Sequence, residues 1–163
     1  MITSAVDTAS SREVEVLIEV PRGSGLKRDP SGRIRFVSPL PCPYNYGAVP
    51  AYLGLEGDLL DAVVLGPRLA FGSRLRIRAW GAVTLRDRGL VDDKLICSQE
   101  APTAGQLAQV LRFFHFYALC KGLLNAVQRR PGDNACEGWR SAQSALDRAV
   151  PLPATWRGAP VPF

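Results

Sequence analysis

The apolar residues of this chain change their spacing at Thr103, and that change limits the folds open to it. Before it, apolar positions alternate or form short runs punctuated by Gly and Pro, the pattern of strands and turns. Residues 14–20, Val-Glu-Val-Leu-Ile-Glu-Val, read as a strand that Pro21 ends. Residues 22–32 form a polar excursion, and 33–37 alternate basic and apolar as a half-exposed strand does. Pro39, Pro41 and Pro43 argue against regular structure over 39–47, because each removes a ladder donor. Strands are expected up to Leu65, over 74–85 with a bulge or tight bend at Gly81, and over 94–98. Residues 87–93 between the last two read as an acidic loop.

After Thr103, residues Leu107, Val110, Leu111, Phe114 and Ala118 follow helical spacing, with Thr103 as N-cap and Gly122 as a stop. Phe113, Phe116, Tyr117 and Cys120 widen the apolar face enough for a subunit contact as well as a core contact. A second, shorter helix is expected over 139–150. Strands first and helices last predict an α+β domain: an antiparallel barrel or sheet with two C-terminal helices packed on it.

At 163 residues, 47% apolar and 21% charged, the chain suits a single domain over 1–163. Residues 1–12 read as a loose arm and 151–163 as a proline-rich tail. The net charge of +5 suits an anionic partner. Without a dense Lys/Arg tract, nucleic acid is not expected. The four cysteines form no CxxC pair and only His115 could join them, so free thiols are expected rather than zinc. The first twenty residues carry no signal-peptide pattern, and no stretch is apolar enough to span a membrane. The expected compartment is the cytoplasm.

The chemistry concentrates in Glu56-Gly57-Asp58-Leu59-Leu60-Asp61. In an extended segment Glu56 and Asp58 share one face. Like charges this close need a cation among them, and Mg²⁺ with its oxygen ligands is the usual one. An acidic surface turn is the simpler reading of these six residues alone. A second acidic set, Asp87, Asp92 and Asp93, lies one long strand away and could converge on the first in a barrel. Such a pocket would demand divalent ions. Lys27, Lys94, Tyr44, Tyr46 and Tyr117 would then meet phosphate oxygens, an inventory that suits metal-assisted hydrolysis of a phosphoanhydride.

At this point the chain resembles the soluble family I inorganic pyrophosphatases. The resemblance rests on Ile18-Glu-Val-Pro21 with Gly23-Ser24 and Lys27, on residues 39–47 (Pro-Leu-Pro-Cys-Pro-Tyr-Asn-Tyr-Gly), and on the block 56–61. Residues 87–94 (Asp-Arg-Gly-Leu-Val-Asp-Asp-Lys), Phe113-Phe-His-Phe-Tyr117 and Glu137-Gly-Trp139 continue it. It implies an OB-like five-stranded antiparallel barrel with helices, dependence on Mg²⁺ (Mn²⁺ as an alternative), and a homo-oligomer, often a hexamer. By position it implies that Glu56, Asp61, Asp87 and Asp92 hold two activating metals, that Glu19 holds a substrate-borne metal, and that Asp58 is the general base. It also implies that Lys27, Tyr46, Lys94 and Tyr117 bind phosphate.

The chain departs from the family at several of these places. Glu56 and Asp29 exchange the usual carboxylate lengths, Cys42 replaces a Tyr, and Ile34 and Ala118 stand where the family has a phosphate-binding Arg and Lys. Arg33 and Arg35 flank Ile34 but point to the other face of a regular strand. The expectation is therefore pyrophosphate hydrolysis weakened by two lost clamps. An enzyme for an organic diphosphate or another phosphorylated small molecule, and a non-catalytic scaffold, are the alternatives.

Overall fold

A computed structural model describes residues 8–29, 31–38, 40–129 and 132–156. A 3₁₀ turn, Thr8–Ser10, leads into β1 (Arg12–Val20) and the hairpin β2 (Leu26–Arg28) and β3 (Ile34–Val37). Then follow β4 (Asn45–Leu53), β5 (Leu59–Val64), β6 (Arg74–Asp87), β7 (Leu90–Ser98) and α1 (Ala104–Val127). The chain continues through β8 (Ala135–Arg140), α2 (Ala142–Arg148) and β9 (Val150–Pro151).

β1 pairs with β4, β4 with β5, β5 with β7, β7 with β6, and β6 with β1, so five strands close on themselves. The ring is mixed where an antiparallel one was expected, because β5 and β7 run parallel. The intervening β6 reverses the chain, so β7 returns in the direction of β5. β8 is laid on the free side of β6, and β9 pairs with β4.

Both faces of the central strands are covered, which is why they read as apolar runs rather than a clean alternation. Ala62 and Val64 point inward with Val16, Ile18, Leu60, Leu95 and Cys97, while Ala142 and Ala145 of α2 pack against the same cluster. Val63, one residue out of phase, points outward with Val83 and Ile96 to meet Val110 and Phe114 of α1. The N-cap expected at Thr103 is in place and forms a capping box. The Thr103 hydroxyl accepts from the Gln106 amide at 3.2 Å, and Gln106 Oε1 accepts from the Thr103 amide at 2.8 Å.

Two glycines mark places where backbone meets its neighbour. A Cβ at Gly47 would lie 2.1 Å from the Leu17 carbonyl oxygen, so β1 and β4 approach there as only Gly permits. A Cβ at Gly81 would lie 2.0 Å from Trp139 Cζ2, and the β6–β7 register slips between Ala79 and Gly81. The bend expected at Gly81 is a bulge, and it seats an indole.

The structure corrects four local expectations. β4 begins at Asn45, inside the segment expected to be irregular. Pro50 is tolerated in it because pairing with β5 is interrupted between Val49 and Leu53. The acidic loop is only the two-residue turn Arg88-Gly89, both at positive φ, and Asp92 and Asp93 stand in β7. α1 runs through Gly122 to Val127, because one helical glycine costs only about 1 kcal/mol. Trp139 belongs to β8, and the second helix waits for its cap at Ser141. The end of the tail, residues 157–163, and the first seven residues lie outside the described part.

Candidate active site

Four segments of the barrel meet at one end: the turn before β5, the start of β7, the end of β6 and the middle of α1. The turn closes with the Gly54 amide donating to the Asp58 carbonyl at 2.8 Å and the Gly57 amide to the Gly54 carbonyl at 3.1 Å. Gly57 takes φ +94, as such a turn requires. Because the segment is turned rather than extended, Glu56 and Asp58 do not share a strand face. The Glu56 carboxylate folds over Gly54, where a Cβ would meet it at 2.5 Å. Asp58 stays exposed, its Oδ1 accepting from the Leu59 amide at 2.8 Å.

Asp61 on β5 and Asp92 on β7 come together because those strands are parallel neighbours, with Asp61 opposite Lys94. Carboxylate oxygens of Glu56, Asp61 and Asp92 lie within 4.8 Å of one another. Lys94, 4% exposed, sits among them. Its Nζ donates to Asp61 Oδ2 at 2.7 Å, to both Asp92 oxygens at 2.9 and 3.1 Å, and to the Tyr46 hydroxyl at 2.7 Å. Lys27 on β2 pairs with Glu19 at 3.3 Å and lies 5.8 Å over the Tyr46 ring. Tyr117 stacks on Phe113 in α1 and is near enough to Lys94 to favour its charged form.

The electrostatics follow from crowding acids in a dry place. Burial, then Asp92 and Asp61, push the Glu56 carboxyl up to about 8. Burial also raises Asp92 and Glu19. Burial pushes Asp61 the same way, but Lys94 and Lys27 reverse it and hold Asp61 below the usual carboxylate range. Tyr46 rises well above an ordinary phenol, chiefly through burial and then through Asp61.

The donor set fits a hard divalent cation. It is all oxygen, and it includes buried oxygens that no hydrogen-bond donor satisfies. Among the described residues those atoms are Glu19 Oε2, Glu56 Oε2 and Asp87 Oδ1; Lys27 Nζ stands 3.3 Å from the first and Arg88 Nε 3.7 Å from the last, so Glu56 Oε2 alone of the three has neither a hydrogen bond nor an ion pair. All three belong to expected metal ligands. Asp87, at the end of β6, stands outside the close trio, and Lys121 holds its Oδ2 at 2.5 Å.

The profile of the inorganic pyrophosphatase family matches residues 16–145. This chain belongs to the inorganic pyrophosphatase family. It is 31% identical to the inorganic pyrophosphatase of Aquifex pyrophilus over 155 residues, covering 83% of this chain and 84% of that one. It is 37% identical to that of Streptomyces coelicolor over 111 residues, 63% and 66% of the two lengths. The crystal structure of the Thermus thermophilus inorganic pyrophosphatase superposes with a TM-score of 0.67 at 28% identity, covering 88% of this chain and 90% of that one. The five-strand barrel is thus the OB-like pyrophosphatase fold, and family members are hydrolases of phosphoanhydride bonds.

Within this pyrophosphatase fold the departures have definite places. Ile34 is 54% exposed on β3. Ala118 is 6% exposed, turned toward the core. Asp29 accepts from the Ser31 amide and hydroxyl and the Arg33 amide, and lies 3.7 Å from Arg35, so it builds the β2–β3 turn and engages Arg35 there. Asp93 is engaged elsewhere too. Arg148 of α2 grips it at 2.5 Å on each oxygen, and the Thr84 hydroxyl donates to it at 2.6 Å. Sequence reasoning missed Arg148 and Lys121. Arg148 is 55 residues from its partner and left no local trace. Lys121 did leave one, being four residues after Tyr117 and so on its helical face.

Proposed function

We infer that this chain hydrolyses inorganic pyrophosphate to phosphate with bound divalent cations, Mg²⁺ first and Mn²⁺ as a substitute. The observation that carries the reading is the convergence of Glu56, Asp61 and Asp92, with the buried Glu56 Oε2 left without a donor. An acidic pocket of this kind is costly unless cations fill it. Glu56, Asp61, Asp87 and Asp92 would hold them, and Glu19 would hold one that arrives with the substrate. A cation bound there supplies charge neutralisation for the phosphates and a more acidic water.

The remaining groups bind, orient and move a proton. Lys27, Lys94, Tyr46 and Tyr117 line the pocket as donors to phosphate oxygens. Asp58 takes the proton of the attacking water as its oxygen bonds to phosphorus. The P–O bond to the bridging oxygen then breaks, and its electron pair leaves with the second phosphate. The amide of Leu59 fixes one Asp58 oxygen and so orients the carboxylate for this work.

Phosphate release from pyrophosphate, measured with and without Mg²⁺, tests the reading. Release should require the metal, and Asp58→Asn should lower kcat by about 10²–10⁴ while Mg²⁺ binding persists. Release no faster than a buffer blank across several divalent ions overturns it.

We also assign a homo-oligomer built on α1. Phe116, Leu119, Leu123 and Val127 are 53%, 70%, 69% and 73% exposed, at spacings that place them along one side of the helix. A stripe of this size calls for a partner, and a second copy supplies a matching one. The four cysteines are unpaired, as suits the cytoplasm, and no helix among the described residues is long and apolar enough to cross a membrane.

A further inference from the structure

We propose that Lys121 is a mobile cation shared by two anions in turn: it holds Asp87 while the site lacks metal, and is released to a phosphate oxygen of the substrate when Asp87 turns to a divalent ion. The proposal rests on the metal-site reading above and adds a substrate-binding residue to it.

The placement is specific. The chain has three lysines among twenty basic residues, and every other basic residue is an arginine. All three lysines reach the acidic pocket: Lys94 between Asp61 and Asp92, Lys27 on Glu19, and Lys121 on Asp87. Lys121 Nζ lies 2.5 Å from Asp87 Oδ2 and 6.0 Å from the centre of the Tyr117 ring, and it favours the charged form of Asp92. It therefore faces the pocket from the helix that carries Tyr117. Its side chain is 32% exposed, so solvent and a ligand can reach it, whereas Lys94 is sealed in.

The chemistry of lysine suits an exchange. Its ammonium is a compact charge on a flexible stem, with three donors and no fixed fork, so it can leave one oxygen for another. A partly exposed ion pair is weakly held, and a divalent ion carries twice the charge to the same carboxylate. The other Asp87 oxygen makes no hydrogen bond and has only a long 3.7 Å ion pair with the exposed Arg88 side chain, so the carboxylate retains capacity for an ion. Once displaced, the ammonium stands beside Tyr117 with no carboxylate of its own. It supplies positive charge one helical turn beyond Ala118, where the helix offers none.

Two affinities should move in opposite directions when this lysine is removed. Mg²⁺ is titrated calorimetrically into metal-free full-length protein, and inorganic phosphate is then titrated into the Mg²⁺-loaded protein. Lys121→Met should tighten Mg²⁺ by about two- to fivefold, because the ammonium no longer competes for Asp87, and weaken phosphate about tenfold. Lys121→Arg should restore most of the phosphate affinity, and Lys121→Gln, which keeps a polar head at this partly exposed position, should behave as Lys121→Met does. A residue that only braced α1 would not tighten a metal. Phosphate affinity within twofold of the unaltered chain in both neutral variants overturns the proposal alone. Absence of Mg²⁺ uptake by the unaltered chain overturns the metal-site reading and this proposal with it.

Discussion

Lys94 keeps two acids that would otherwise face each other, and its burial makes that service expensive to lose. In metal-free protein, Lys94→Met should reduce unfolding free energy by about 3–5 kcal/mol, the usual cost of leaving buried charge unpaired. That is a large share of the roughly 5–15 kcal/mol typical of a domain. Urea unfolding in chelator measures it, and saturating Mg²⁺ should recover part of the loss. Glu56 gives the site a pH dependence. Its folded value of about 8 lies above the ordinary 4.5, so the folded state binds the extra proton between them. The stability this contributes is complete below pH 4.5 and gone above pH 8, and the raised Asp92 and Glu19 act in the same sense. The thermal midpoint in chelator should therefore fall from pH 5 to pH 8, and fall less in Glu56→Gln. Because a ligand must be deprotonated, Mg²⁺ binding at pH 7 should release close to one proton, which calorimetry in two buffers of different ionisation enthalpy detects.

Each element depends on a few close contacts that a linear pattern shows unevenly. Gly81→Ala should destabilise by about 1–3 kcal/mol or more by forcing a methyl into the Trp139 ring, and Trp139→Ala in the same chain should cost less than the sum of the two. Denaturant midpoints of the four proteins close that cycle. The bulge at Gly81 was legible because glycine inside a strand run has few other uses. The N-cap at Thr103 was legible because a Thr stands just before the helical spacing begins, whereas its capping-box partner Gln106 was not read. The start of β4 was not, because the prolines before it hide a ladder that depends on β1 and β5. The brevity of the Arg88-Gly89 turn was masked in a similar way, since a run of acids reads as loop until the strand that buries Asp92 and Asp93 is in place. That the two acidic blocks meet could be suspected from their places in the chain, and the family resemblance put Glu56, Asp61 and Asp92 among the ligands, but the closeness of this trio required the parallel pairing of β5 with β7. Lys121 was overlooked because Gly122 read as a helix stop.

At the scale of the whole molecule, the barrel covers one side of α1 and leaves the other apolar. On the proposed assembly through α1, the unaltered chain should sediment as an oligomer at micromolar concentration and Leu119→Glu with Leu123→Glu as a monomer, while the far-ultraviolet dichroism of the barrel and helices persists. If the helix side is the subunit contact, the melting temperature of the unaltered chain should rise with protein concentration and that of the double variant should not.

The seam between β5 and β7 is where the hairpin of β4 and β5 is zipped to the hairpin of β6 and β7, and Asp61 and Lys94 sit opposite each other on it. Any ion gripped by Asp61 and Asp92 would clasp both hairpins at once. Opening of the barrel and release of the ion are then one event. Amides along this seam, those of Ala62 and Leu95 among them, should exchange with deuterium far more slowly in a loaded molecule than in an empty one.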